Sequence, residues 1–232
     1  MVEKRTDRVF DSSGKVKTAT SKSFDILNID GIRYHRQTEK DGKPLPSDEA
    51  RKAQETIDRK IAERKNETEA QRRQHLADQE KRRTEARSFL KEIPDAFNFQ
   101  ILREETLDSR RVWVIRAEPN AGYRPRRPEA RILQKFHCTL WIDQTDYQWA
   151  RADCESLDTV SFGLFVARLN KGAHVLFEQT RLNNEVWLMK RIQVKYDVRL
   201  ALLKHQAGEF EQVHSNFRKF QADSKIVPSG EQ

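Results

Sequence analysis

Six histidines and two cysteines are the side chains best suited to hold a metal or act as a nucleophile. They are scattered: His35, His75, His174, His205 and His214 stand apart, and the one close pair is His137 beside Cys138. Neighbours on a strand point to opposite faces, so that pair does not share a metal. The chain has no GxGxxG, Walker loop, HExxH, GxSxG or CxxC. Asp143 and Asp146 flank a turn and read as caps for its backbone rather than as an acid/base pair. The expectation is a non-enzymatic protein without metal or cofactor.

Both cysteines fall in CTLWIDQTDYQWARADCE, residues 138–154 plus Glu155, which also holds two of the four tryptophans. The alternation predicts a hairpin. With Gln144-Thr145 as a two-residue loop, Ile142 opposes Tyr147, Leu140 opposes Trp149 and Cys138 opposes Arg151. One face is then Cys138, Leu140, Ile142, Tyr147 and Trp149; the other carries Trp141 with smaller, mixed residues. Neither this register nor a three-residue loop sets Cys138 opposite Cys154, so free thiols are expected.

Two partly apolar faces recur. Val112 and Val114 oppose Trp113, Ile115 and Ala117; Val175 and Phe177 oppose Leu176 and Leu182. An antiparallel sheet usually has one dry and one wet face. Two accounts fit: a sheet packed between other layers, or a curved sheet whose inner face lines an apolar cavity. Phe162, Phe165, Val166 and Leu169 recur at helical spacing, which predicts a short helix over 161–169, as core or as a lid.

The elements that must carry these residues divide into four stretches. Residues 1–46 read as strands with turns at Asp11-Ser12-Ser13-Gly14, Asp30-Gly31 and Asp41-Gly42. Residues 47–92 read as a charged helical insertion, with 13 basic and 11 acidic residues and no glycine or proline. Ser47 is the expected first cap, Asn66 with Glu69 the expected start of a second helix, and Ala53, Ile57 and Ile61 the buried stripe of the first. Residues 93–222 return to strands of the same domain, the last over Phe210–Phe220, and 223–232 form a flexible tail. The fold class is α+β. At 232 residues the chain is long enough for one well-buried domain.

The net charge of +8 favours anionic partners. The near balance of charge in 47–92 argues against a nucleic-acid arm, and nucleic acid is not an expected partner. That segment reads as a solvated insertion, with a protein partner as its alternative use. No run approaches the ~18–20 apolar residues of a membrane span, which leaves peripheral membrane contact. Two cysteines do not make a disulfide framework.

The stretches Leu140-Trp141-Ile142-Asp143, Trp149, Glu178-Gln179-Thr180 and Val186-Trp187-Leu188 resemble the outer-membrane lipoprotein-sorting proteins related to LolA. The run from Ile93-Pro94-Asp95-Ala96-Phe97 through Gly122-Tyr123-Arg124-Pro125, Asp146-Tyr147-Gln148-Trp149 and Ser161-Phe162-Gly163-Leu164-Phe165 resembles bacterial envelope proteins assigned to that superfamily. The resemblance covers about residues 24–222. It implies a half-barrel of antiparallel strands whose concave apolar face holds acyl chains, a periplasmic or cell-envelope location, no cofactor, and a lipid or lipidated protein as partner. Trp113, Ile115, Trp141, Phe162, Phe165 and Trp187 are the cavity lining it suggests, and Arg124, Arg126, Arg127 and Arg131 are candidates to meet anionic head groups. The charged helices at 47–92 depart from the family pattern, as does the lack of an export signal and leading helix, so a start lying upstream is expected.

Overall fold

The computed structural model describes residues 1–29, 32–162, 167–200 and 204–217. Four strands open the chain: β1 (Val2–Phe10), β2 (Val16–Ile29), β3 (Ile32–Lys40) and β4 (Lys43–Pro44). Helices α1 (Ser47–Lys65), α2 (Glu69–Leu90) and the short α3 (Ile93–Ala96) follow. Then come β5 (Phe97–Leu107), β6 (Arg110–Pro119), a 3-10 helix (Pro128–Lys135), β7 (Phe136–Asp143) and β8 (Trp149–Ser156). The short β9 (Val160–Phe162) and β10 (Ala167–Leu169) precede β11 (His174–Leu182), β12 (Val186–Leu200) and β13 (Lys204–Ser215).

All the pairings are antiparallel, in the order β4-β3-β2-β1-β13-β12-β11-β8-β7-β6-β5, with β10 and β9 branching from β12. The sheet is curved and unclosed, a half-barrel with β4 and β5 as its free edges. β1 pairs with β13, so the first strand and the last meet in mid-sheet. Tight turns set the registers: Asp41-Gly42 and Asp108-Ser109 place both loop residues at positive φ, the twist that suits a two-residue hairpin. The expected turn at Asp30-Gly31 lies outside the described residues.

α1 lays Ile57, 3% exposed, against β3, where Tyr34 is also buried. Its first helical residue follows Pro46, and no side chain caps it. The second helix starts later than Asn66 suggests. Thr68 and Gln71 form a reciprocal box: the Gln71 amide donates to Thr68 Oγ1 at 3.3 Å, and the Thr68 amide donates to Gln71 Oε1 at 2.9 Å. Asn66 instead ends α1, its amide bonded to Ala62 O at 3.1 Å.

Two further expectations are corrected. Residues 160–162 and 167–169 are strands that pair with each other, not parts of one helix; a short apolar run satisfies either period, and here the ladder wins. The last strand runs from Lys204 to Ser215, earlier than Phe210–Phe220, and Phe220 lies outside the described residues.

Candidate apolar binding site

The β7–β8 hairpin decides the site. Asp143, fully buried, accepts amide hydrogen bonds from Thr145 (2.9 Å) and Asp146 (2.8 Å), and the Asp143 amide donates to Gln148 O at 2.9 Å. The loop is therefore longer than two residues, and Tyr147 takes positive φ within it. A bulge then adds Ala150: Ile142 faces Trp149, but Trp141 faces Arg151. The wider loop and the bulge together slide the strands until Cys138 faces Cys154, and the two form a disulfide. The free-thiol expectation fails because the loop is longer than two or three residues and the following strand carries a bulge.

This register sorts the face lines. Leu140 faces Ala152, Ala152 faces Phe177, and Phe177 faces Ile192. One residue over, on the other face, Trp141, Arg151, Glu178 and Arg191 follow one another across the same strands. Each face thus has its own chemistry.

On the apolar face two adjoining recesses share Ile93, Trp149, Cys154 and Val175 as walls. The smaller, of about 270 Å³, has Phe97, Ala117 and Leu140 around it and is closed by Leu133 and Phe136 at the 3-10 helix. Every described residue lining it is apolar or a disulfide cysteine. The larger, of about 680 Å³, reaches Leu90 at the end of α2, Phe177, and the amides of Gln148 and Gln179. α3 and the 3-10 helix roof this hollow, held by Glu92, which is 2% exposed. Its carboxylate accepts from the Tyr123 hydroxyl and from the Arg126 amide at 2.9 Å. Burial and that bond push the Tyr123 phenol up to about 12, and the same bond holds Glu92 below the usual carboxylate range.

Further along the same face the line turns polar. Glu3, 2% exposed, accepts from Arg5 Nε (2.6 Å) and Gln212 Nε2 (2.8 Å), and His214 Nε2 lies 3.1 Å from it. The opposite face carries a charge ladder: Arg151 Nε is 3.9 Å from Glu178, Arg191 is 4.0 Å from Glu178 and 2.7 Å from Glu211, and Arg8 is 3.6 Å from Glu211. This face is polar and half-buried rather than open, and at its β6 end Val112 and Val114, which share it with Trp141, are fully buried.

The expected lining residues separate accordingly. Ile115 packs against the apolar cluster opposite Leu140, and Trp113, opposite Ile142, rests on the Tyr147 ring at 5.8 Å. Trp141 is on the ladder face, where its indole donates to Glu105 and the Arg151 guanidinium lies 4.8 Å from its ring. That bond is the main reason Glu105 stays below the ordinary carboxylate value. Trp187 donates to Asp146 at 2.9 Å, beside Arg110. Phe162 belongs to β9, and Phe165 lies outside the described residues. Trp149, Leu140 and Phe177 were missed as lining, although the hairpin pattern had already put Leu140 and Trp149 on one bulky face.

Arg124, Arg126, Arg127 and Arg131 are exposed around the 3-10 helix that closes the hollow. Arg126 pairs with Asp95 at 3.0 Å, and Arg124 donates to two backbone carbonyls. Among the described residues no group of His, Cys, Asp or Glu side chains has a metal-holding arrangement, and no helix is long and apolar enough to cross a membrane.

No family model and no curated protein matches the chain. Among solved structures it is similar to a domain from Vibrio parahaemolyticus assigned to outer membrane lipoprotein sorting, at 10% identity, 97% of this chain, 86% of that one and a TM-score of 0.30. It is similar to a DUF1329 family protein from Desulfovibrio piger at 9% identity, 98% and 90% coverage and a TM-score of 0.29. A Pseudomonas aeruginosa MucA/MucB complex follows at 7% identity, 91% and 88% coverage and a TM-score of 0.23. Likeness this distant says nothing of ligand or partner.

Proposed function

We propose that the chain is a non-enzymatic carrier or binding protein of the cell envelope that takes an acyl chain, from a lipid or a lipidated protein, into the hollow beside Trp149. The observation that supports this reading is the smaller recess, whose walls, among the described residues, offer no polar side chain to a ligand. A cavity of that kind gains by excluding water from an apolar guest and gives a polar substrate no partner. Arg124, Arg126, Arg127 and Arg131, at the roof, are the groups proposed to meet an anionic head. The disulfide supports an oxidising compartment, as expected for an exported protein. The charged helices α1 and α2 are read as an insertion in the β domain.

Native mass spectrometry of the purified chain, before and after lipid extraction, tests the carrier. A bound amphiphile that extraction removes is expected. A fatty acid brominated along its chain should quench part of the tryptophan emission, and Trp149→Phe should abolish that part. Absence of both bound mass and quenching would sink the carrier reading and leave a protein-interaction module built on residues 47–92.

A further inference from the structure

One stripe of α2, a helix exposed along most of its length, is cationic where it faces a cleft. Arg72, Leu76, Gln79 and Arg83 fall at spacings of four, three and four residues, one face of the helix, and all four line a single cleft of about 560 Å³. From α1 the cleft receives Ile61, Arg64 and Lys65, and its floor is Ile29 and Ile32 at the β2–β3 turn, with Tyr34. The described residues lining it include four cations and no carboxylate. Residues 47–92 as a whole nearly balance their charges, so the cleft has collected one sign out of a mixed segment.

The internal ion pairs do not spend these cations evenly. Arg64 bonds Glu67 at 3.0 Å, and Arg83 is 3.9 Å from Glu80 in an exposed pair. Among the described residues Lys65 and Arg72 form no ion pair. Such clustered like charges raise one another's energy and favour a bound anion.

The floor says what else the ligand must carry. Ile29, Ile32, Ile61 and Leu76 present aliphatic surface, Leu76 being 57% exposed. A free phosphate would leave that surface wet. Among the described lining residues Gln79 and Tyr34 are the only neutral polar side chains, too few to satisfy the backbone of a peptide. From Arg72 to Arg83 the stripe runs about 16 Å along the helix, room for an extended chain.

We infer that this cleft binds a single-chain anionic amphiphile, its tail along Leu76 and the isoleucines and its phosphate or carboxylate head at Arg72, Arg83 and Lys65. The cleft lies against β2 and β3, away from the hollow at β5–β8, and the inference does not rest on the carrier reading. Isothermal titration of the full chain with dodecyl phosphate, below its micelle concentration, tests it. One saturable component should weaken at least about tenfold, 1.4 kcal/mol, in the double variant Arg72→Glu/Arg83→Glu. Lys52→Glu/Arg73→Glu, which makes the same charge change on exposed positions outside the cleft, should leave it within about twofold. Leu76→Glu, at an exposed position that folding tolerates, should weaken it as well.

Sodium phosphate and dodecyl maltoside should each bind at least about tenfold more weakly than dodecyl phosphate. Equal binding of either removes the need for tail or for charge and overturns the inference. So does equal weakening in the two double variants, or binding that survives Arg72→Glu/Arg83→Glu and is lost in Trp149→Asp, which would put the amphiphile in the hollow. If phosphatidylglycerol vesicles bind while monomeric dodecyl phosphate does not, the stripe is a membrane-contact surface and the cleft reading fails.

Discussion

Arg110, at the start of β6, grips Asp143, at the end of β7, through two guanidinium nitrogens, Nε at 2.6 Å and Nη2 at 2.8 Å. Asp143 is fully buried and shapes the β7–β8 loop, while Arg110 extends to Asp146 at 3.1 Å and lies under the Trp187 ring. Arg181 joins Asp146 at 3.0 Å. The ends of three hairpins are thus tied at two carboxylates. The turn that sets the disulfide register belongs to this tie, not to Gln144-Thr145 alone.

The Arg110 guanidinium, first among its partners, holds the Asp143 carboxyl at about 2, below the 3.8 of a free aspartate. Because the folded value is depressed, the stabilisation is fully present above about pH 4 and is lost as pH falls through 2, a contribution of about 2 kcal/mol. Asp143→Asn should cost about 2 kcal/mol at pH 7, the linkage contribution of the lost carboxylate, with Asp146 left as the remaining carboxylate partner of Arg110. In urea titrations between pH 7 and 2 the variant should also lose much of the wild-type slope below pH 4. An Asn variant as stable as wild type at pH 7 would show that the tie carries no net stability.

The disulfide closes a 16-residue separation across β7 and β8, within the floor of the hollow. A loop of that size gives about 3 kcal/mol in the chain-entropy account. Cys138→Ser/Cys154→Ser, or reduction of the wild type, should lower the urea midpoint by a corresponding amount. Far-UV circular dichroism should change little, since the ladder bonds on both sides of the pair remain. A midpoint unmoved by reduction would mean that the register is held entirely by the Arg110–Asp143 tie.

Legibility followed the range of the interactions involved. The hairpin with Asp41-Gly42 at its tip can be read directly, because local backbone chemistry makes that turn. The disulfide cannot. Its register depends on Arg110, 33 residues upstream, reaching Asp143, and on a bulge at Ala150 that no local signal announces. Trp141 and Trp187 look alike as apolar residues on strands, yet each donates its indole N–H to a distant carboxylate, Glu105 on β5 and Asp146 in the β7–β8 loop, which places them in polar surroundings. The cationic stripe of α2 is hidden behind a balanced charge count, because sequence shows how many charges there are and not which side of the helix faces the cleft.

Gly208 sits where β13 passes between β1 and β12, opposite Val9 on one side and Tyr196 on the other. Its φ is ordinary, unlike that of Gly14, Gly42 and Gly172, so the need for glycine here is steric. A Cβ at this position would lie 2.6 Å from the Arg8 carbonyl oxygen and 2.6 Å from the Tyr196 hydroxyl. The tyrosine can swing away; the Arg8 carbonyl is part of the ladder and cannot move without opening the β1–β13 seam. Gly208→Ala should therefore destabilise the fold by about 1–3 kcal/mol, the usual range for overpacking, seen as a lower urea midpoint. Tyr196→Phe added to it should recover only part of the loss, because the contact with Arg8 remains. Full recovery in the double variant would locate the whole conflict at the phenol and leave the seam free to accept a side chain.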